Sequence, residues 1–189
     1  ELDADYIVSD FESVVQKAVE CFERNRYEEI GYIGTYGIEI YGSLKADRRY
    51  LYFKKMLEQR GVFREEFVWL TNNSYITDGY ELGKKILREH RKLPRAVFTE
   101  NDSLAIGFLR ALKENAVRNP IAIIGCNDVQ SAAFMTPPLT SVRLANDLIG
   151  TMSARLLLER MMTERTESVK VVVPNKLIIR GSCSDSQPL

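Results

Sequence analysis

The alternation of apolar and polar positions changes period several times along this chain, and the clearest changes fall between Pro94 and Val142. Ala96 to Thr99 is a short apolar run closed by the polar cluster Glu100-Asn101-Asp102-Ser103. Ile121 to Gly125 is a second run, followed closely by Asn127 and Asp128. Between them Leu104, Ala105, Phe108, Leu109 and Leu112 recur at the helical period, while Arg110, Lys113 and Glu114 fall on the opposite side. Asn101 is placed to cap that helix, and Asp102 sits in its electropositive first turn. Strand, amphipathic helix and strand with short links form a βαβ unit, so the two strands are expected parallel, with their carboxyl ends opening into one crevice. Ligands bind outside such ends, which puts Asn101, Asn127 and Asp128 at one rim.

The same reading extends to the rest of the chain. A strand at Tyr6 to Ser9, a helix from Phe11 to Asn25 with Val14, Val15, Ala18, Val19 and Phe22 as its buried stripe, and a strand at Glu29 to Ile33 form a second unit of this kind. A helix carrying Tyr50, Phe53, Met56 and Leu57 ends at Gly61, a strand covers Glu66 to Leu70, and a helix runs from Tyr75 to His90. Pro137-Pro138 ends the short helix expected at Ser131 to Met135. A strand at Ser141 to Leu144 then leads to a helix from Asp147 to Met162, with Leu148, Met152, Leu156 and Met162 along one side and Ile149, Leu157 and Leu158 beside it. Val169 to Val173 and Lys176 to Ile179 read as a last pair of strands around Pro174-Asn175, and the polar tail from Gly181 to Leu189 as mobile.

Composition narrows the function. With 26 basic and 26 acidic residues, the chain has no excess charge with which to hold nucleic acid by itself. The three cysteines, Cys21, Cys126 and Cys183, stand far apart and fit neither a disulfide framework nor a metal spacing, so a reducing cytoplasm is expected. No apolar run has the length of a membrane span, and the opening residues are not a signal peptide. The glycines of GYIGTYG match neither a dinucleotide fingerprint nor a phosphate loop. The single histidine, His90, sits at a helix end without a nucleophile motif to serve, and metal-binding motifs are lacking. No catalytic residue, metal or cofactor is expected; binding is what remains.

The segments PRAVFTENDSLAIGFLRAL, IIGCND and FMTPPLTSV, in this order and spacing, resemble the LacI/GalR family of bacterial sugar-responsive transcription regulators. The resemblance runs from about Asp5 to about Arg180 and covers the later part of the family's effector-binding core. It implies an α/β fold, a three-layer α/β/α sandwich with a mostly parallel sheet of the periplasmic-binding-protein-like type. Residues 1–136 are then expected to form the C-terminal subdomain. Residues 137–165 would be a crossover strand and helix belonging to the otherwise missing N-terminal subdomain, 166–180 returning strands, and 181–189 a flexible tail.

The resemblance also assigns roles. An arginine on the helix before Phe53 grips the effector, which selects Arg49 over Arg48. An aromatic stacking on a sugar ring falls at Ser74 or Tyr75, so Tyr75 is the candidate, with Asn101 and Asn127 completing the polar set. Many sugar-responsive members carry aspartate at the position of Asn127, which leaves open a different glycoside or a phosphorylated one. Ile106, Arg110, Phe134 and Met135 are the expected homodimer surface. The implied partners are a sugar effector, a second copy, and operator DNA reached only through a helix-turn-helix absent from this chain. The competing reading is a solute-binding protein of a sugar ABC transporter.

Overall fold

The computed structural model describes residues 4–40, 43–45, 47–89, 92–117 and 120–183, with the backbone alone at 38–40 and 43–45. His90 and the tail 184–189 lie outside the described residues. In chain order the elements are β1 (Tyr6–Ser9), α1 (Phe11–Arg24), β2 (Ile30–Thr35), the antiparallel pair β3 (Ile38–Ile40) and β4 (Ser43–Lys45), α2 (Arg48–Gln59), β5 (Val68–Thr71) and α3 (Ile76–Glu89). They continue with β6 (Ala96–Thr99), α4 (Asp102–Glu114), β7 (Ala122–Cys126), β8 (Thr140–Leu144), α5 (Asn146–Met162), β9 (Lys170–Val173) and β10 (Asn175–Ile178). Short 3-10 turns occupy Glu65–Phe67, Gln130–Phe134 and Gly181–Cys183.

Six strands form the main sheet in the order β10-β8-β7-β6-β2-β5, parallel throughout except for β10 against β8. Successive residues of a strand face opposite sides, and here both sides are covered. Tyr32, Phe98 and Ile124 join Val14, Ala18, Phe22 and Phe53 of α1 and α2 in one apolar layer. Their neighbours Ile33, Val97 and Ile123 join Leu104, Ala105 and Phe108 of α4 in the other. This double burial explains why the central strands read as apolar runs instead of alternating ones. On that second face α3 crosses α4 at backbone contact: a Cβ on Gly107 would stand 2.1 Å from the Ile76 carbonyl oxygen, and one on Gly79 2.4 Å from that of Leu104.

The structure departs from the sequence expectations in three places. β1 pairs with β9 in a separate two-stranded parallel sheet, not with β2, so the segment from Tyr6 to Ile33 is not a βαβ unit of the main sheet. β9 and β10 do not pair with each other either. Pro174 separates them, and β10 crosses into the main sheet against β8. The two crossings are tied together: Asn175 Nδ2 donates to the Asp10 carbonyl at 3.1 Å, and Lys17 Nζ donates to Asn175 Oδ1 at 2.8 Å. Third, Gly181–Cys183, expected to open a mobile tail, is a 3-10 turn in which Ser182 and Cys183 are buried. Ser182 Oγ donates to the Ile123 carbonyl at 2.6 Å and accepts from the Thr140 amide at 2.8 Å.

Helix α5 packs on β1, apart from the six-stranded sheet. Its apolar residues are spread around the axis. Leu156 is buried, whereas Leu157, Leu158, Met161 and Met162 are exposed. Among the described residues no helix is long and apolar enough to cross a membrane.

Candidate ligand site at the strand ends

The carboxyl ends of β2, β5, β6 and β7 meet the amino ends of α2 and α4, and the polar groups gathered there are already joined to one another. Glu100, directly after β6, is buried. One of its carboxylate oxygens accepts from the Thr35 amide at 2.7 Å and the Thr35 hydroxyl at 2.8 Å, bolting the end of β2 to the end of β6. Its other oxygen lies 3.4 Å from Arg49 Nη2.

Arg49 is set by α2. Asp47 caps that helix by accepting from the Arg49 amide at 2.8 Å, and its carboxylate also takes Arg49 Nε and Nη2 at 2.8 Å each, a two-pronged pairing that lysine cannot reproduce. Nη1 donates to the Glu100 carbonyl at 2.7 Å, and the guanidinium lies over the Phe11 ring at 4.9 Å. The guanidinium is thus committed to Asp47 through Nε and Nη2 and to the Glu100 carbonyl through Nη1, and it also hydrogen-bonds Cys126. Burial pushes the Asp47 carboxyl up, but the hydrogen bonds and charge of Arg49 outweigh it, so the carboxyl stays below its ordinary range. Arg48 points elsewhere: it is exposed, in a groove with Ser9, Tyr52 and Lys170.

Beneath this network lies Tyr32, whose ring packs against Tyr50, Phe53 and Phe98 at centroid distances of 5.5, 5.1 and 5.9 Å. Its hydroxyl is buried with no hydrogen-bond partner among the described residues. Burial, then the charges of Asp47 and Glu100, raise its pKa well above the ordinary value. Cys126, at the end of β7, is likewise pushed up to about 12 by burial, against the opposing charge of Arg49.

The other expected residues divide. Asn101 caps α4, its Oδ1 accepting from the Leu104 amide at 2.9 Å, while Nδ2 reaches the Ser74 carbonyl at 3.4 Å. It is mostly consumed as a structural pin, and it holds the Ser74–Tyr75 loop beside the end of β6. Tyr75 itself is 68% exposed. Asn127 is half-buried and has φ of 107°, and Asp128 follows at 55°; two successive left-handed residues turn the chain sharply off β7. Asp128 leaves the rim to pair with Arg143 at 2.6 Å and Arg180 at 2.7 Å. Burial raises its carboxyl, but the hydrogen bonds from those arginines hold it below the ordinary range. Arg49, Asn101 and Asn127 thus stand at neighbouring strand ends with Tyr75 on the adjoining loop.

Sequence reading missed Asp47 and Glu100, the partners that hold Arg49. Asp47, a capping residue directly before an arginine pair, was the available signal. Glu100 carried none, since a glutamate in a polar cluster reads as solvated. Of the expected dimer residues, Phe134 is 81% exposed and Ile106 and Met135 are half-buried against the α4 layer. Arg110 is exposed but engaged with Glu114 at 2.8 Å and the Tyr80 ring at 5.0 Å. Among the described residues no group of three or more His, Cys, Asp or Glu is placed to hold a metal ion.

A parallel sheet covered on both faces, with preassembled polar groups at its strand ends and a separate two-stranded sheet joined to it by the crossing chain, defines a ligand-binding domain of the periplasmic-binding-protein type. The periplasmic binding protein-like domain family matches residues 19–183. The chain is 34% identical over 186 residues to the HTH-type transcriptional repressor MelR of Bacillus subtilis, an alignment covering 95% of this chain and 53% of that protein. It is 31% identical over 179 residues to the HTH-type transcriptional regulator GalR of Streptococcus thermophilus, covering 93% and 54%. Two solved structures share the fold. The transcriptional regulator CelR in complex with cellobiose superposes with a TM-score of 0.81 at 24% identity, over 95% of this chain and 54% of that one. A LacI family regulator of Enterococcus faecium with bound ribose gives 0.82 at 21% identity, over 99% and 68%. The chain belongs to the LacI/GalR family, as its effector-binding part, and spans about half the length of the curated relatives it matches.

Proposed function

We propose that this chain is the sugar-sensing core of a cytoplasmic transcriptional repressor, which works as a homodimer and reaches operator DNA through a helix-turn-helix carried elsewhere in the parent protein. Its work is binding, with no turnover. The observation that carries the reading is the Asp47–Arg49–Glu100 network across the strand ends. It holds a guanidinium rigid at the strand ends, on the same side of the sheet as the amides of Asn101 and Asn127 and the ring of Tyr75. Preorganised donors of this kind suit hydroxyl groups, and an aromatic face covers the apolar side of a sugar ring. One arginine between two carboxylates makes the cluster net negative, which favours a neutral sugar over a phosphorylated one. Two of the relatives are named as operon repressors for sugars, lactose in Rhizobium radiobacter and ribose in Escherichia coli, which supports a sugar-responsive regulator over a solute carrier.

A closure that ligand stabilises would change the spacing of two DNA-reading heads only if the cores are paired. Ile106, Arg110, Phe134 and Met135 form the candidate pairing surface, and the exposed ring of Phe134 is its most accessible probe. The test is calorimetric titration of the full-length parent with ribose, galactose, lactose and cellobiose, for the natural protein and for Arg49→Lys, together with operator binding. Binding of one sugar, a change in operator affinity on adding it, and at least about a tenfold loss in Arg49→Lys are expected. A parent whose operator affinity responds to none of these sugars, or an Arg49→Lys variant that binds as well as the natural protein, would overturn the reading.

A further inference from the structure

Cys21, on the last turns of α1, and Cys183, in the turn after β10, are 162 residues apart in sequence, yet their sulfurs stand 3.8 Å apart. Both are buried, at 2% and 1% exposure. Neither placement is loose. Cys21 lies on the face of α1 that meets the sheet, with its carbonyl accepting from Asn25 Nδ2 at 2.8 Å. Cys183 follows Ser182, whose amide donates to the Pro138 carbonyl at 2.9 Å and whose hydroxyl bridges Ile123 and Thr140. The two thiols are thus held facing each other by separate elements. Reaching the roughly 2.0 Å of a disulfide means closing a gap of less than about 2 Å between the sulfurs.

We propose that Cys21 and Cys183 are a peroxide-responsive pair whose oxidation staples α1 to the turn after β10. The Cys21 thiolate attacks hydrogen peroxide: an S–O bond forms, the O–O bond breaks, and the departing hydroxide takes a proton to become water. Cys183, losing its proton, then attacks the Cys21 sulfur. An S–S bond forms, the S–O bond breaks, and the released hydroxide leaves as a second water. Two thiols and one peroxide give one disulfide and two waters, with two electrons passing from sulfur to oxygen. A small oxidant is needed, because the burial of both sulfurs excludes a bulky disulfide reagent. The reactivity of the pair is set locally. The hydrogen bond from Cys183 is the main influence holding Cys21 below the ordinary thiol value, against burial and with help from Arg24, and this favours its thiolate. Cys126, buried beside Arg49 and held at about 12, remains a thiol.

The test treats the 189-residue chain with hydrogen peroxide, then denatures it, alkylates it and measures intact mass and peptide maps. Only one of the three cysteines should then alkylate, the chain should be two hydrogens lighter with the 21–183 peptides linked, and dithiothreitol should reverse both. The melting temperature should rise by several degrees on oxidation, because the link closes a long loop. Cys126→Ser should behave like the natural chain. Cys183→Ser should give no link and leave Cys21 as a sulfenic acid that dimedone traps when the peroxide-treated chain is denatured in its presence. Three alkylatable thiols after treatment of a chain still folded by circular dichroism, oxidation falling first on Cys126, or links between chains instead of within one, would each overturn the proposal.

Discussion

Asp102 offers the sharpest check on the physical account of this fold, because its burial and its charge oppose each other. It is the first residue of α4 and is wholly buried. One carboxylate oxygen accepts from the Ser141 hydroxyl at 2.6 Å and the other from the Val129 amide at 2.8 Å. Room for it exists only because residue 125 is glycine: a Cβ there would stand 2.1 Å from Asp102 Oδ1. Burial raises its pKa from 3.8 to about 6, the two hydrogen bonds restraining the rise and the nearby Asp128 charge adding to it. A carboxyl held at about 6 in the fold and near 3.8 unfolded favours the protonated native state. Its contribution is fully present below 3.8 and is lost as pH rises through about 6, a change of about 3 kcal/mol. Asp102→Asn removes the charge at every pH. Its amide can donate to Ser141 Oγ while its oxygen accepts from Val129, at a cost of about 1 kcal/mol for the altered bonds. The variant should therefore exceed the natural chain by about 2 kcal/mol at about pH 8, and the difference should fall through zero between about pH 5 and pH 4 to a deficit of about 1 kcal/mol below the unfolded pKa. Urea unfolding of both chains across that range measures the difference directly. A variant that is less stable at pH 8, with a deficit that does not change with pH, would refute the argument.

Three further substitutions probe other parts of the account. Gly107→Ala places a methyl against the backbone of α3 and should lower stability by about 3 kcal/mol in the same unfolding assay. Gly150→Ala in the middle of α5 meets nothing within 4 Å and should raise stability by about 0.5 to 1 kcal/mol. Tyr32→Phe removes a buried hydroxyl that has no described partner, so a gain of about 1 kcal/mol is expected, and a loss of that size would reveal a partner the hydroxyl depends on.

The elements whose period was strong were legible in the sequence. α1 and α4 carry one clean apolar stripe each, and β6 and β7 are apolar runs bounded by polar clusters, so their layers and their parallel pairing followed from pattern alone. What was not legible was which sheet a strand joins. Tyr6 to Ser9 and Lys170 to Val173 have no local feature distinguishing a strand that pairs with β2 from one that pairs across 160 residues, because partner choice depends on the path of the intervening chain. The 3-10 turn at Gly181–Cys183 was hidden for a similar reason: Gly-Ser-Cys reads as polar coil, and only the receiving groups on Ile123, Thr140 and Pro138 make it a buried lock.

The site shows the same division between residue type and partnership. The resemblance selects Arg49 over Arg48 by position, and the structure distinguishes the two in another way: Arg49 is paired by two prongs to its own helix cap, while Arg48 faces outward. Asn101 and Asn127 were grouped as equivalent rim amides, yet they are not. Asn101 spends its oxygen on the α4 amide and its nitrogen on Ser74, whereas Asn127 stands in a left-handed conformation that asparagine tolerates better than most residues. Its neighbour Asp128 is drawn off to Arg143 and Arg180, leaving Asn127 to present the adaptable amide at the end of β7. The backbone strain is thus concentrated at the end of β7, beside the other strand ends. Specificity among sugars is accordingly expected to respond more to Asn127, which has unspent hydrogen-bonding capacity among the described residues, than to Asn101, whose replacement would first disturb the helix it caps.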